Sequence, residues 1–382
     1  MNNTMPKHIG DYNKNQMLSI LRQKGSASRA ELSKLMGIST VAISRNINQL
    51  LDIGIIRECG EEKSSMGRKP VLLELCGSYC YVLGADIVGG TLKAALADLT
   101  GKIIEYNEET IKVSQGAQAV IKQLTSVLKS LIKKTGIDRK KIWAATIGTP
   151  GIFNAETGKS LFSFFVDHWE DINIQKEVKK ALRIETIIDN DINLDVIGES
   201  WKGAGRNYKN ILYVKIGQGL GARIVIDNKL LRGQHNMAGE IGFMLPDLSG
   251  KGQNYEQKLK NANLIKNYRI LNGKSKASGI SDLCTLAKNQ DNAAKKVVKQ
   301  LFDHLAILLL NCSTVLDPQI IILGGDACSL TDNELILIQN HMEEKFPISH
   351  KLILSTLEKK ACIYGAIKTG LDYAEKRITE LW

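Results

Sequence analysis

Residues 83–102 read LGADIVGGTLKAALADLTGK. An apolar strand runs into the glycine pair Gly89-Gly90, a second strand leaves it, and a tight turn follows at Thr100-Gly101. Backbone N–H groups in such a loop can wrap a phosphate. Glycine alone serves equally to permit the turn. The plan recurs at residues 210–231, NILYVKIGQGLGARIVIDNKLL. There a strand at Ile211–Ile216 meets the loop Gly217-Gln218-Gly219-Leu220-Gly221. A strand at Ala222–Ile226, an Asp227-Asn228 turn and a further strand follow. A third glycine pair, Gly324-Gly325, comes after the strand Ile320–Leu323 and before Asp326. Two copies of strand, glycine loop, strand, turn, strand predict an α/β body of two similar lobes with a cleft between them. The first lobe is expected over 78–196 and the second over 197–382, with a C-terminal helix from about 362 to 382 returning to the first lobe.

The stretch IIDNDINLDVIGES, residues 187–200, places Asn190 and Asp191 where a strand gives way to a helix. A carboxylate at that point can accept a hydrogen bond from a sugar hydroxyl, or take its proton if the hydroxyl is to attack a phosphate. Capping of the helix by Asp191 is the competing reading, and the two roles can coexist.

Residues 1–77 follow a different logic. A helix is predicted from about Lys14 to Lys24, with Met17, Leu18 and Leu21 on one face and Gly25 ending it. Ser28 and Glu31 form a capping box for a second helix, and Gly37 makes a sharp turn. Ser39 caps a third helix whose core face is Ile43, Ile47, Leu50 and Leu51. Two apolar runs, Ile55-Ile56 and Val71–Leu75, flank a polar loop ending in Gly67-Arg68-Lys69-Pro70, which predicts a β-hairpin wing. Residues 1–60 hold eight Lys and Arg against four Asp and Glu. The third helix turns Arg45 and Asn48 away from its core, with Thr40 and Ser44 near its N-terminal surface. Arg can bridge guanine and Asn adenine in the major groove. Arg68 and Lys69 of the wing suit a narrow minor groove. A small protein-interaction module is the competing reading of three such helices.

The chain of 382 residues is long enough for two or three cores, and its 43% hydrophobic and 24% charged residues fit a soluble protein. The net charge of +11 suits a polyanionic partner, although a solvated lysine surface gives the same number. The start MNNTMPKHIGDYNKNQ lacks an apolar signal core, and the longest apolar runs are too short for a bilayer. The seven cysteines show no C-x-x-C spacing and read as reduced thiols of a cytoplasmic protein.

These features together resemble the ROK family of bacterial sugar kinases and sugar-responsive repressors. The phrases TPGIFNAETGK, NDINLDVIGESWKGAGR, ILYVKIGQGLGARIVIDNKLLRGQHNMAGEIGFM and LDPQIIILGGD carry the likeness in the family's order. It implies a bilobal actin-like fold of the sugar kinase type behind a winged helix-turn-helix. The winged head is similar to the repressor branch. Departures matter as much as matches. Where family kinases carry D-x-G-G-T-K, an ungapped reading puts Asp86 on the aspartate, Val88 and Gly89 on the glycines, Gly90 on the threonine and Thr91 on the lysine. Gln218 stands where the kinases usually have Thr. Phe243 follows Glu240-Ile241-Gly242 where they have His, and DLSGKGQNYEQKL holds neither Cys nor His, so no zinc is expected. No Asn precedes Trp169 in FFVDHW, where Asp167 and His168 are the polar residues on offer.

What the resemblance leaves is a set of sugar acceptors, Asn190, Asp191, Glu240 and Glu256, with Asp191 on the kinase base position. The loops marked by Asp86, Gly89, Gly90, Gly217, Gly219, Gly221, Gly324 and Gly325 are expected to be vestigial, with no ATP bound. The expected protein is therefore a repressor of sugar-utilisation genes rather than an enzyme. Its partners would be operator DNA, a second copy or three, and a sugar or sugar phosphate, with xylose suggested by likeness to xylose repressors. The alternative is an active ATP-dependent sugar kinase with an added DNA-binding head. A repressor that senses a partner protein is a third possibility.

Overall fold

The computed structural model describes residues 4–61, 70–111, 113–153, 160–162, 169–246, 253–273, 277–345 and 349–380. The chain opens with α1 (Thr4–Lys24), β1 (Ser26–Ser28), α2 (Arg29–Met36), α3 (Thr40–Ile53) and the wing strands β2 (Ile56–Glu61) and β3 (Val71–Leu75). β1 pairs with β3, which completes a three-stranded sheet of order β1-β3-β2. Left-handed glycines end α2 at Gly37 and α3 at Gly54. Ser39 caps α3 as the sequence predicts. Only half of the expected capping box forms. Ser28 Oγ accepts from the Glu31 N–H, but the Glu31 carboxylate turns to Lys24 instead.

The first lobe contains β4 (Tyr81–Val88), β5 (Thr91–Asp98), β6 (Ile103–Thr110), α4 (Ala117–Thr135) and β7 (Ile142–Thr149). It continues with the short pair β8 (Ile152–Phe153) and β9 (Ser160–Phe162), then α5 (Ile174–Leu182), β10 (Glu185–Asn190) and α6 (Asp191–Lys202). The second lobe runs through β11 (Ile211–Ile216), β12 (Leu220–Ile226), β13 (Lys229–Leu230), α7 (Tyr255–Leu259), α8 (Asn261–Asn272), α9 (Ile280–Lys288) and α10 (Asn292–Leu316). It closes with β14 (Ile320–Gly325), α11 (Asp332–Glu343), β15 (Leu352–Leu354) and α12 (Ala361–Thr379). The sheet orders are β10-β7-β4-β5-β6 and β13-β12-β11-β14-β15. Read from opposite ends they are one design, an antiparallel meander of three strands flanked by two parallel strands. The fold is thus α/β, with a winged head and a bilobal kinase-like body.

Two features differ from the expected division of the chain. The boundary drawn at 196/197 falls inside α6. That helix serves both lobes: Val196 packs with Ile211 and Tyr213 of the second sheet, while Leu194 packs with Cys362 and Ala366 of α12, whose Ile363, Ile367 and Leu371 share a buried cluster with Val82, Ala95 and Ala144 of the first sheet. A Cβ on Gly198 or Gly365 would collide with the opposing helix backbone, so two glycines let α6 and α12 touch. The head, in turn, is not insulated from the body. Met17, Leu18, Leu21, Ile47 and Leu50 share one buried cluster with Val82, Ala95, Leu371 and Ile378. Arg22 pins the junction, bonding the Leu99 carbonyl at 3.2 Å and pairing with Glu375 of α12.

Candidate functional site

Between the lobes lies a cleft of about 540 Å³. The β4–β5 turn forms one side. Val88 pairs with Thr91, leaving Gly89 and Gly90 as a two-residue turn with φ of +58° and +78°. Such a hairpin turn demands positive φ at both positions, so strand pairing alone accounts for this glycine pair. The second glycine loop faces it. A Cβ on Gly89 would stand 3.2 Å from Gln218 Nε2. Gly217, Gly219 and Gly221 line the cleft, as do Gly89 and Gly325. Gly324 has another task, because any side chain there would strike the Tyr213 ring. β14 itself runs through both glycines rather than ending before them.

The chemistry sits at the β10–α6 corner. Asn190, not Asp191, is the helix cap: its Oδ1 accepts from the Ile192 and Asn193 N–H groups at 2.9 and 3.3 Å. Its Nδ2 donates to the Gly151 carbonyl at 2.8 Å, and its Oδ1 also accepts from Arg223 at 3.0 Å. Asn190 is therefore already committed within the protein. Capping by Asn190 releases Asp191 for a different partner. Lys215 Nζ from β11 lies 2.8 Å from Asp191 Oδ2 and 2.7 Å from Asp195 Oδ2. Burial opposes the charge on Lys215, yet Asp191 and Asp195 hold it well above the usual lysine range.

Asp86 is buried nearby, 3.9 Å from Lys93, and its Oδ1 has no hydrogen-bond partner among the described residues. Burial above all pushes the Asp86 carboxyl up to about 7; Asp195 and Asp191 add to the rise and Lys215 opposes it. Lys93 is itself engaged, donating to the Lys359 carbonyl at 2.6 Å. Arg223, 2% exposed, bonds Asn193 Oδ1 at 2.5 Å and Glu240 Oε1 at 3.0 Å. Arg232 forks onto Asp189 at 2.6 and 3.1 Å. Glu256 enters from α7 beside Gly219 and Gly242.

Of the residues expected at the site, Asp86, Gly89, Asn190, Asp191, Gly217, Gly219, Gly221, Glu240, Glu256 and Gly325 line this one cleft; Gly90 and Gly324 do not. Sequence reasoning missed Asp195, Lys215, Arg223 and Arg232. Asp195 was legible as the residue one helical turn beyond Asp191. The others are basic residues in or just after the second lobe's strands, and nothing local ties them to a helix some twenty to forty positions earlier. Phe243, half exposed at the cleft, offers no donor to a zinc ion. Among the described residues no group of three His, Cys, Asp or Glu side chains is placed to hold a metal.

On the head, α3 buries Ile43, Ile47 and Leu50 and half-buries Leu51. Thr40, Arg45 and Asn48 are exposed and Ser44 half-exposed. Val41, 79% exposed beside them, was not anticipated; an apolar residue one turn before Arg45 was the available signal. Arg68 and Lys69 of the wing, and Asp167 and His168 before Trp169, lie outside the described residues. No described helix is long and apolar enough to cross a membrane.

Comparison with known proteins agrees with this architecture. A winged helix-turn-helix DNA-binding profile matches residues 11–57. The chain is 24% identical over 394 residues to the xylose repressor of Caldicellulosiruptor bescii, covering 96% of each protein. Among solved structures it superposes on a ROK family transcriptional regulator described as a homolog of the E. coli MLC protein, with a TM-score of 0.81, 24% identity and coverage of 97% of this chain and 99% of the other. The body alone superposes on a ROK hexokinase from Thermus thermophilus, with a TM-score of 0.66, 20% identity and coverage of 78% and 99%. The ROK family profile matches residues 82–370, and with the bilobal body and its cleft in place, the chain belongs to the ROK family.

Proposed function

We propose that this chain is a sugar-responsive transcriptional repressor of the xylose-repressor type and not a kinase. The observation that carries the reading is the state of Asp191. A general base must reach the hydroxyl it deprotonates. Here the Asp191 carboxylate is engaged by Lys215 at 2.8 Å. The first loop adds to this, since a β-branched Val88 and a two-residue hairpin turn replace an open phosphate cradle. Acceptors remain on Asp191, Glu240 and Glu256, and carboxylates bond sugar hydroxyls well. The relatives matched over nearly the whole chain are named xylose repressors.

In this reading Thr40, Ser44, Arg45 and Asn48 of α3, with Arg68 and Lys69 of the wing, bind a palindromic operator as a homodimer or homotetramer. A sugar or sugar phosphate, xylose first, binds between the lobes and shifts their relation. A coupling of about 1–3 kcal/mol between sugar and DNA is the usual size of such an effect.

The test is fluorescence anisotropy of the full chain on DNA from its own upstream region, at fixed salt because phosphate contacts make affinity salt-dependent. Tight binding released by xylose is expected. Tight binding indifferent to every sugar and sugar phosphate would remove the effector claim, and absence of any specific DNA binding would remove the repressor claim.

A further inference from the structure

We propose that Lys215 is a positioning residue of the cleft, whose ammonium holds Asp191 and Asp195 ionised and side by side so that Asp191 meets a sugar hydroxyl as a hydrogen-bond acceptor. The sugar half of this statement rests on the effector reading above; the electrostatic half does not. The geometry is specific. β11 brings Lys215 to within 2.8 and 2.7 Å of two carboxylates that α6 presents one turn apart. Both carboxylates are buried, with Asp191 6% and Asp195 4% exposed. Two ionised carboxylates in such a place repel one another unless a cation stands between them. Asp86, arriving from β4 with an unpartnered buried oxygen and a carboxyl that burial pushes up to about 7, adds a third carboxyl to the same centre.

The surroundings supply little else to balance them. Glu199 on α6, Tyr213 on β11 and Cys362 on α12 face the centre and bring no positive charge. Lys93 on β5 lies closer to Asp86 and is bonded to the Lys359 carbonyl. Arg223 on β12 is spent on Asn190, Asn193 and Glu240. Lys215 is therefore the cation paired with both carboxylates, and burial still pushes the Asp195 carboxyl up against it. With its ammonium donating to Asp191 Oδ2 and paired with Asp195, the same lysine leaves Asp191 a lone pair to offer a hydroxyl and little drive to remove its proton.

The experiment compares the full-length wild type with Lys215→Met, Lys215→Arg and Lys215→Met combined with Asp195→Asn. Thermal unfolding is followed from about pH 5.5 to about pH 8.5, above the ordinary range of an exposed carboxylate. Without the ammonium, the folded protein must retain protons that the unfolded chain gives up. Its stability should then fall more steeply with rising pH than that of the wild type. Lys215→Arg should return to the wild-type slope, and the double variant should lie between Lys215→Met and the wild type. A Lys215→Met profile parallel to wild type, lower by a constant amount, would overturn the proposal. If Lys215→Met does not fold, the double variant decides: folding with a slope steeper than that of the wild type upholds the proposal, and a parallel profile or failure to fold reduces Lys215 to a packing role and overturns it. Calorimetry with D-xylose gives the second readout. Affinity of Lys215→Met should weaken as pH falls, by up to about tenfold per unit for one linked proton, with a smaller change in the wild type. A wild type that binds no xylose would sink the effector reading and leave the unfolding profiles to decide on Lys215.

Discussion

The two lobes share one strand order but bring opposite charge to the β10–α6 corner. At the tip of the first sheet, β10 and α6 present Asp189, Asp191 and Asp195. From the second sheet and the loop after it come Lys215, Arg223 and Arg232. Each cation has a partner at that corner: Lys215 two carboxylates, Arg232 one, and Arg223 the two asparagines Asn190 and Asn193. A duplicated fold has thus been made asymmetric at the place where its halves meet. The difference teaches that the β10–α6 corner is defined by cross-lobe polar links, whereas the Gly89-Gly90 turn is explained by strand pairing without any ligand.

The largest expected effect breaks that asymmetry at its most buried point. Arg223→Ala leaves Asn190, Asn193 and Glu240 without their shared donor, and should cost about 3–5 kcal/mol in chemical denaturation. A loss below about 1 kcal/mol would mean that the corner is held by something else. The head and first lobe make a second comparison, since they share a core. Leu21→Ala should cost about 2–5 kcal/mol and lower the stability of the body together with the head in one transition. Two separate transitions, with the body unmoved, would show the head to be an independent unit.

Asp86 sharpens the electrostatic side. Its carboxyl, pushed up to about 7 chiefly by burial, keeps its proton in the folded chain at pH values where the unfolded chain, near the ordinary value of about 4, has lost it. Between those values the folded state binds more protons, so stability must fall as pH rises through that window. Asp86→Asn should abolish this fall and gain on the order of 2 kcal/mol on going from about pH 5 to about pH 8 relative to wild type. An unchanged pH profile would show that Asp86 is ionised when folded. The smallest effect belongs to Arg232. Its side chain is 44% exposed, so Arg232→Ala should cost about 1 kcal/mol or less, fading with added salt.

The sequence made the repeated strand plan legible because glycine turns and alternating apolar runs are local signals. α3 was legible for the same reason, through its serine cap and helical apolar spacing. β1 escaped because three residues, Ser26–Ser28, carry no period of their own and owe their strand to pairing with β3. The lobe boundary escaped because α6 has a buried face for each lobe, which sequence reads as one continuous helix. In the cleft, Asp191 was visible from its place after a strand. Its role was not, because that role is set by Lys215, and in YVKIG a lysine flanked by apolar residues reads as the solvent side of a strand. Asn190 took the capping role that was the competing reading of Asp191, since the cap lies one residue earlier than the first helical turn suggests.

The central claim is that Asp191 accepts a hydroxyl without taking its proton. The most direct measurement is ATP turnover by the purified chain over a panel of hexoses and pentoses, beside Asp191→Asn. The account predicts that wild type and variant are equally inactive above background. Robust turnover by the wild type that vanishes in Asp191→Asn would contradict it and make the cleft that of a working sugar kinase.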